Sequence, residues 1–182
     1  MKNWDYSSHG FYFVTICALS RVEYFGEVRD GMMCLGRLGE LAQSYWQKIS
    51  SQFSMVNLDD FIVMPNHIHG IVQFSERSAN GCRGAINRAP TTIDVADPAK
   101  MGGVTGENNP MGKGVLGEVM RWFKGRCTFE IGKQAKEEFR WQRGFYDEVV
   151  QENARLDEIR KYIKSNPENW EMEKAGDYGL YY

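Results

Sequence analysis

No run of apolar residues in this 182-residue chain approaches the ~20 that a membrane-spanning helix requires, so no transmembrane helix is expected. Cysteine is scarce and scattered. Cys17, Cys34, Cys82 and Cys127 form no CxxC pair, which argues against both a disulfide framework and a structural zinc site. The first residues, MKNWDYSSHG, lack a basic stretch leading into an apolar core, so no signal peptide is read there and the cytoplasm is the expected compartment. Neither charge dominates: 22 Lys and Arg stand against 24 Asp and Glu, a net charge of -2. That excludes a chain basic over its whole surface, so any grip on nucleic acid must rest on a local patch. Internal repeats are absent.

What is present is ordinary for a globular protein, with 42% hydrophobic and 25% charged residues, and one domain over 1–182 is expected. Residues 11–19, FYFVTICAL, read as a buried strand from their aromatic and β-branched content. YFGEV and MMCL flank Arg29-Asp30-Gly31, and the Asp-Gly pair predicts a β-hairpin. Leu38, Leu41, Ala42, Tyr45, Trp46 and Ile49 recur with helical period and predict an amphipathic helix. Residues 57–74 read as strand, interrupted at Pro65, which implies an edge, a bulge or two strand pieces. Residues 75–114 hold seven glycines and three prolines and predict a long, flexible surface loop. A helix follows over about 115–131, then extended structure over 139–150 with a turn near Gly144. A last helix is predicted from Asn153 as N-cap, ending near Pro167, which disfavours helical geometry at Asn166. The sum is an α+β sandwich, with helices on one or both faces of a mainly antiparallel sheet.

Three groups of residues could carry chemistry. His67 and His69 are two of only three histidines, and at i and i+2 in a strand they share a face. Two adjacent imidazoles suit a divalent cation, and they equally suit a solvated strand face. Tyr162 and Asn166 stand four residues apart on the last helix and therefore on one side of it. They could reach a common site, or Tyr162 could be a core-edge tyrosine with a wet hydroxyl. From Lys113 to Arg143 eight basic residues outnumber four acidic ones. Lys113, Arg121, Lys124, Arg126 and Arg143 could follow a phosphate backbone, with Trp122 and Trp141 as stacking faces, or form a solvated helix face.

MPNHIHGIV at 64–72, WQRGFYDEVV at 141–150 and YIKSNP at 162–167 occur in that order. Together they resemble the HUH-type single-tyrosine transposases, most closely the REP-associated tyrosine transposases and their insertion-sequence relatives. GFYFVTICAL and VLGEVMRWFKG look like that family's first strand and middle helix, so the resemblance runs from about Gly10 to Trp170. It implies a ferredoxin-like (RRM-like) sandwich. It implies that His67 and His69, completed by Asn166, hold a divalent metal, Mg²⁺ or Mn²⁺, and that Tyr162 is the nucleophile. The implied substrate is single-stranded DNA, commonly with a hairpin, cleaved and rejoined through a 5′-phosphotyrosine. A homodimer sharing tyrosine helices occurs in part of the family. A non-catalytic RRM-like binding module and a relaxase- or initiator-like nickase are the alternatives. Tyr146 is the rival nucleophile.

Overall fold

A computed structural model of the chain describes residues 9–75, 116–134, 139–170 and 172. The glycine- and proline-rich stretch, Lys113 and the start of the helix expected at 115 lie outside them. The strands are β1 (Gly10–Cys17), β2 (Gly26–Arg29), β3 (Met32–Leu35), β4 (Val56–Val63), β5 (His67–Phe74) and β6 (Tyr146–Val150). The helices are α1 (Arg37–Gln47), the single turn α2 (Ile49–Gln52), α3 (Leu116–Gln134) and α4 (Asn153–Ser165).

Four strands form one antiparallel sheet in the order β4-β5-β1-β6, and β2 pairs with β3 in a separate hairpin. The hairpin turns at Asp30 and Gly31, both with positive φ (51° and 71°), as the Asp-Gly pair predicts. Pro65 separates two strand pieces rather than marking an edge or bulge. Met64 N–H bonds His67 O at 2.8 Å and closes a tight turn at Pro65-Asn66. The single helix expected over 38–49 is broken at Lys48 into α1 and α2.

Alternation along β1 assigns its two faces. Tyr12, Val14 and Ile16 pack with Trp46, Met120, Phe123 and Cys127, so α1 and α3 cover that face. Phe13 and Ile71 pack with Leu156, Ile159 and Ile163 of α4 on the other. The sandwich thus has helices on both faces. The buried indole of Trp46 lies against Gly70, where a Cβ would fall 2.2 Å from Cζ2. Glycine at that point lets the ring reach the sheet.

Helix α4 is strapped across the sheet from both edges. Arg155 donates to both carboxylate oxygens of Glu148 on β6, at 2.8 and 3.0 Å. Arg160 does the same to Asp59 on β4, at 3.0 and 2.6 Å, and Lys164 pairs with Asp60 at 2.9 Å. A register shift between Leu58 and Phe61 takes Asp59 and Asp60 out of regular pairing. The helix begins with Glu152 as its cap, whose carbonyl accepts Leu156 N–H at 3.0 Å, one residue before the predicted Asn153. Asn166 keeps helical angles (φ -56°, ψ -43°) against the expectation from Pro167. The chain accommodates the proline by tightening to i→i+3 bonds, Asn166 N–H to Ile163 O and Asn169 N–H to Asn166 O. Asn166 is thereby carried into the core with no solvent exposure.

Candidate active site on the α4 face of the sheet

His67 and His69 project from β5 onto the α4 face, opposite Cys17 and Thr15 of β1. Their rings lie 4.4 Å apart between centroids. Both are buried, at 2% and 4% exposure. Burial pushes the His67 imidazole down to about 3, with the Arg21 charge adding to it and Asn166 opposing it. Burial, then the charges of His67 and Arg21, hold His69 well below the ordinary histidine range. Both imidazoles are neutral at physiological pH.

The tautomer of His67 follows from its neighbour. His67 Nδ1 lies 2.7 Å from Asn66 Oδ1, and a carbonyl oxygen only accepts, so Nδ1 carries the proton. The Asn66 amide is oriented by its other end, since Nδ2 donates to Arg21 O at 3.2 Å. Among the described residues the His67 Nε2 lone pair meets no hydrogen bond of good geometry, with Asn166 its polar neighbour. Such an atom costs about 1–3 kcal/mol if nothing meets it. His69 Nδ1 is 2.8 Å from Thr15 Oγ1, and His69 Nε2 is 3.3 Å from the Tyr162 hydroxyl. In the tautomer whose Nδ1–H donates to Thr15, Nε2 accepts from the phenol. Phe13 stacks on His69 at 5.4 Å, and Trp170 tilts against His67 at 6.0 Å. Each ring thus has an aromatic neighbour, and His69 Nε2 faces Tyr162 of α4.

This donor set fits a divalent cation. Two neutral imidazoles, each with Nδ1 held by a hydrogen bond, are the form in which histidine ligates, and the orphaned Nε2 of His67 supplies a lone pair. Asn166 is the polar group of α4 next to His67. Among the described residues, no three His, Cys, Asp or Glu side chains come together, so an amide oxygen is the available third donor. All three donors are uncharged.

The structure thus brings Tyr162, His67, His69 and Asn166 together. It does not do so for the whole basic group. Helix α3 packs on the other face of the sheet, because Leu116, Met120, Phe123 and Cys127 form its buried stripe. Lys124 Nζ donates to Gln142 O and Gly144 O, both at 2.7 Å, and burial lowers its proton affinity. Its ammonium fastens the loop before β6 instead of facing solvent. Arg121 lines an apolar groove of about 620 Å³ with Phe129 and Phe145, and Arg126 is exposed on α3. Trp122 packs on Phe53 at 5.8 Å, and Trp141 packs on Phe25 at 5.4 Å, so both indoles are spent in packing. Arg143 alone of the four lies on the histidine side. It lines a cleft of about 290 Å³ with Thr15, Cys17, Arg21 and Tyr146.

Thr15, Asn66 and Arg21 were not singled out from the sequence. Thr15 is identified by register across β1 and β5, which strand alternation alone does not supply. Asn66 reads as a turn residue after Pro65, and its second role needs the fold.

Comparison with known proteins agrees with this architecture. The chain has the fold of a REP-associated tyrosine transposase solved bound to a REP hairpin, with a TM-score of 0.56 and 15% identity over 97% of this chain and 74% of that one. It belongs to the same family as an uncharacterized protein of Haemophilus influenzae, 30% identical over 174 residues, covering 96% of this chain and 89% of that protein. No family model matches the chain.

Proposed function

We propose that the chain is a metal-dependent endonuclease and strand transferase acting on single-stranded DNA, with Tyr162 as nucleophile. The observation that carries this reading is the Tyr162 hydroxyl, 3.3 Å from Nε2 of the buried, neutral His69 and on the same face as His67 and Asn166. A tyrosine placed only for packing has no need of a buried imidazole at its oxygen. Similarity in fold to a transposase bound to a hairpin supports the substrate class.

A phenol with an ordinary pKa near 10 is a weak nucleophile until it is aligned and its proton has somewhere to go. Here α4 supplies alignment. The Arg155–Glu148 and Arg160–Asp59 straps fix the helix along its axis, and Phe13 meets the Tyr162 ring edge-on at 6.2 Å. A divalent ion bound by His67, His69 and Asn166 would supply Lewis-acid polarisation of the phosphate. Tyr162 Oη attacks phosphorus as the P–O3′ bond breaks. The phenolic proton is lost to solvent and the departing 3′-oxygen takes one up. The product is a 5′-phosphotyrosine with a 3′-hydroxyl, and attack by a second 3′-hydroxyl reverses the step and joins strands. Because the protein ligands are uncharged, the negative phosphate completes the charge balance of the site. Asn66 and Thr15 hold the imidazole planes throughout. A homodimer that exchanges α4 is not needed for this geometry, since Tyr162 reaches His69 within one chain.

The test is denaturing electrophoresis after incubation with a hairpin-bearing single-stranded oligonucleotide and Mn²⁺. Wild type and Tyr146→Phe should give a covalent protein–DNA band, and Tyr162→Phe should give none while still binding. A band that survives Tyr162→Phe and vanishes in Tyr146→Phe moves the nucleophile. No band from wild type with several hairpins and either metal leaves a binding module.

A further inference from the structure

The chain leaves β1 through a turn with an unusual backbone. Ser20 and Arg21 both have positive φ, 55° and 52°, a region disfavoured for residues with a Cβ. The surroundings enforce it. Ala18 N–H bonds Asn66 O and Leu19 N–H bonds Arg140 O, each at 2.8 Å, and Asn66 Nδ2 holds Arg21 O. The same Asn66 side chain accepts from His67 Nδ1. One amide therefore ties the backbone of Arg21 to the ring of His67. Strain enforced in this way beside an active site is the pattern of a functional constraint.

The exposed Arg21 lies along the cleft that also contains Thr15, the hydrogen-bond partner of His69. The same cleft is lined by Arg143, exposed, and by Tyr146, 41% exposed and paired in register with Thr15. Two guanidiniums and an exposed phenol ring around about 290 Å³ are the chemistry of a phosphate clamp with a stacking surface. At the small end of ligand pockets, roughly 300–1,000 Å³, the cleft accommodates one nucleotide and not a duplex.

We propose that this cleft seats the nucleotide adjoining the reacting phosphodiester of a single strand. Arg21 binds a non-bridging oxygen of the phosphate presented to the histidines, Arg143 holds the neighbouring phosphate, and Tyr146 stacks on the base. The assignment rests on the function proposed above and adds three residues to it. It also gives Tyr146 a task other than nucleophile.

The experiment measures binding of a fluorescent single-stranded hairpin oligonucleotide in a Tyr162→Phe background at several salt concentrations, with Mn²⁺. Arg21→Gln and Arg143→Gln should each weaken binding several-fold and flatten the slope of log K against log[salt] by about 0.7. Arg21→Lys should restore the slope. Tyr146→Leu should weaken binding about 5-fold or more with an unchanged slope, because stacking carries no charge. With Tyr162 intact, Arg21→Gln should also slow covalent capture at saturating DNA. Thermal melting checks folding, and Arg143→Gln and Tyr146→Leu carry the test should Arg21→Gln not fold. Unchanged affinity and slope in folded Arg21→Gln and Arg143→Gln overturn the seat; if wild type still forms the adduct, the strand-transfer reading stands without it. Changed slopes with no adduct from wild type refute strand transfer and with it a seat beside a reacting phosphodiester, leaving the cleft as a nucleotide site of a binding module.

Discussion

Gly70→Ala should cost more stability than the loss of any single surface ion pair, although it adds one methyl group. The new Cβ would lie 2.2 Å from Trp46 Cζ2 and 2.9 Å from two further ring atoms. Ordinary contact begins at 3.4 Å, so strand and indole must separate by more than an ångström. Trp46 has nowhere to go. It is fully buried, with Phe61 stacked at 5.9 Å and Phe123 edge-on at 5.2 Å. Overpacking of this kind costs about 1–3 kcal/mol, and the depth of the overlap puts Gly70→Ala at about 3. For a chain of this length that is a fall in Tm of roughly 6–12 °C. Gly125→Ala is the matched control. Gly125 lies inside α3 with nothing among the described residues within 4 Å of its would-be Cβ, so alanine should raise stability by about 0.5–1 kcal/mol through helix propensity and unfolded-state entropy. Urea midpoints of both variants decide the matter. Gly70→Ala within about 0.5 kcal/mol of wild type, or both variants moving the same way, would refute the packing argument.

Mn²⁺ at tenfold its dissociation constant should stabilise wild type by about 1.4 kcal/mol in thermal melts, and His67→Leu should lose that shift; an equal shift in the variant would remove His67 from the ion site. Lys124→Ala should lower stability by about 1.5–3 kcal/mol, since its charged donor satisfies Gln142 O and Gly144 O, with little change in the salt slope of DNA binding. The hydrogen bond from Arg160 holds the Asp59 carboxyl below its ordinary range, so its contribution is present above the unfolded pKa of about 4 and lost as pH falls through the lower folded value. Asp59→Asn should therefore lower stability by up to about 1 kcal/mol at pH 7, and the gap should close as urea midpoints are followed into acid; a gap that widens would contradict the sign.

Much of the architecture can be read from pattern alone. The Asp30-Gly31 turn, the strand before Pro65 and the strand after it, and the stripe Leu156–Ile159–Ile163 each follow from local periodicity or turn chemistry. His67, His69, Tyr162 and Asn166 are legible through spacing and resemblance, and the fold sets them on one face of the sheet. The basic residues diverge in the fold because net charge along a segment says nothing about direction. Lys124 turns to backbone carbonyls and Trp141 to Phe25, whereas Arg143, on the short loop before β6, ends on the histidine side. Arg21 went unnoticed because its importance lies in a left-handed turn and in Asn66, neither of which has a sequence period.

The strand order separates the site in time as well as in space. His67 and His69 belong to a tight hairpin between neighbouring strands, which a growing chain can close as soon as Phe74 has left the ribosome. Tyr162 follows His69 by 93 residues, and its helix is docked through Glu148 of β6, itself one of the last strands made. A nascent or truncated chain can thus present the imidazoles without the phenol. Under the proposed function, strand breakage would be confined to molecules whose translation has passed α4, and fragments released early would be left with at most the capacity to bind.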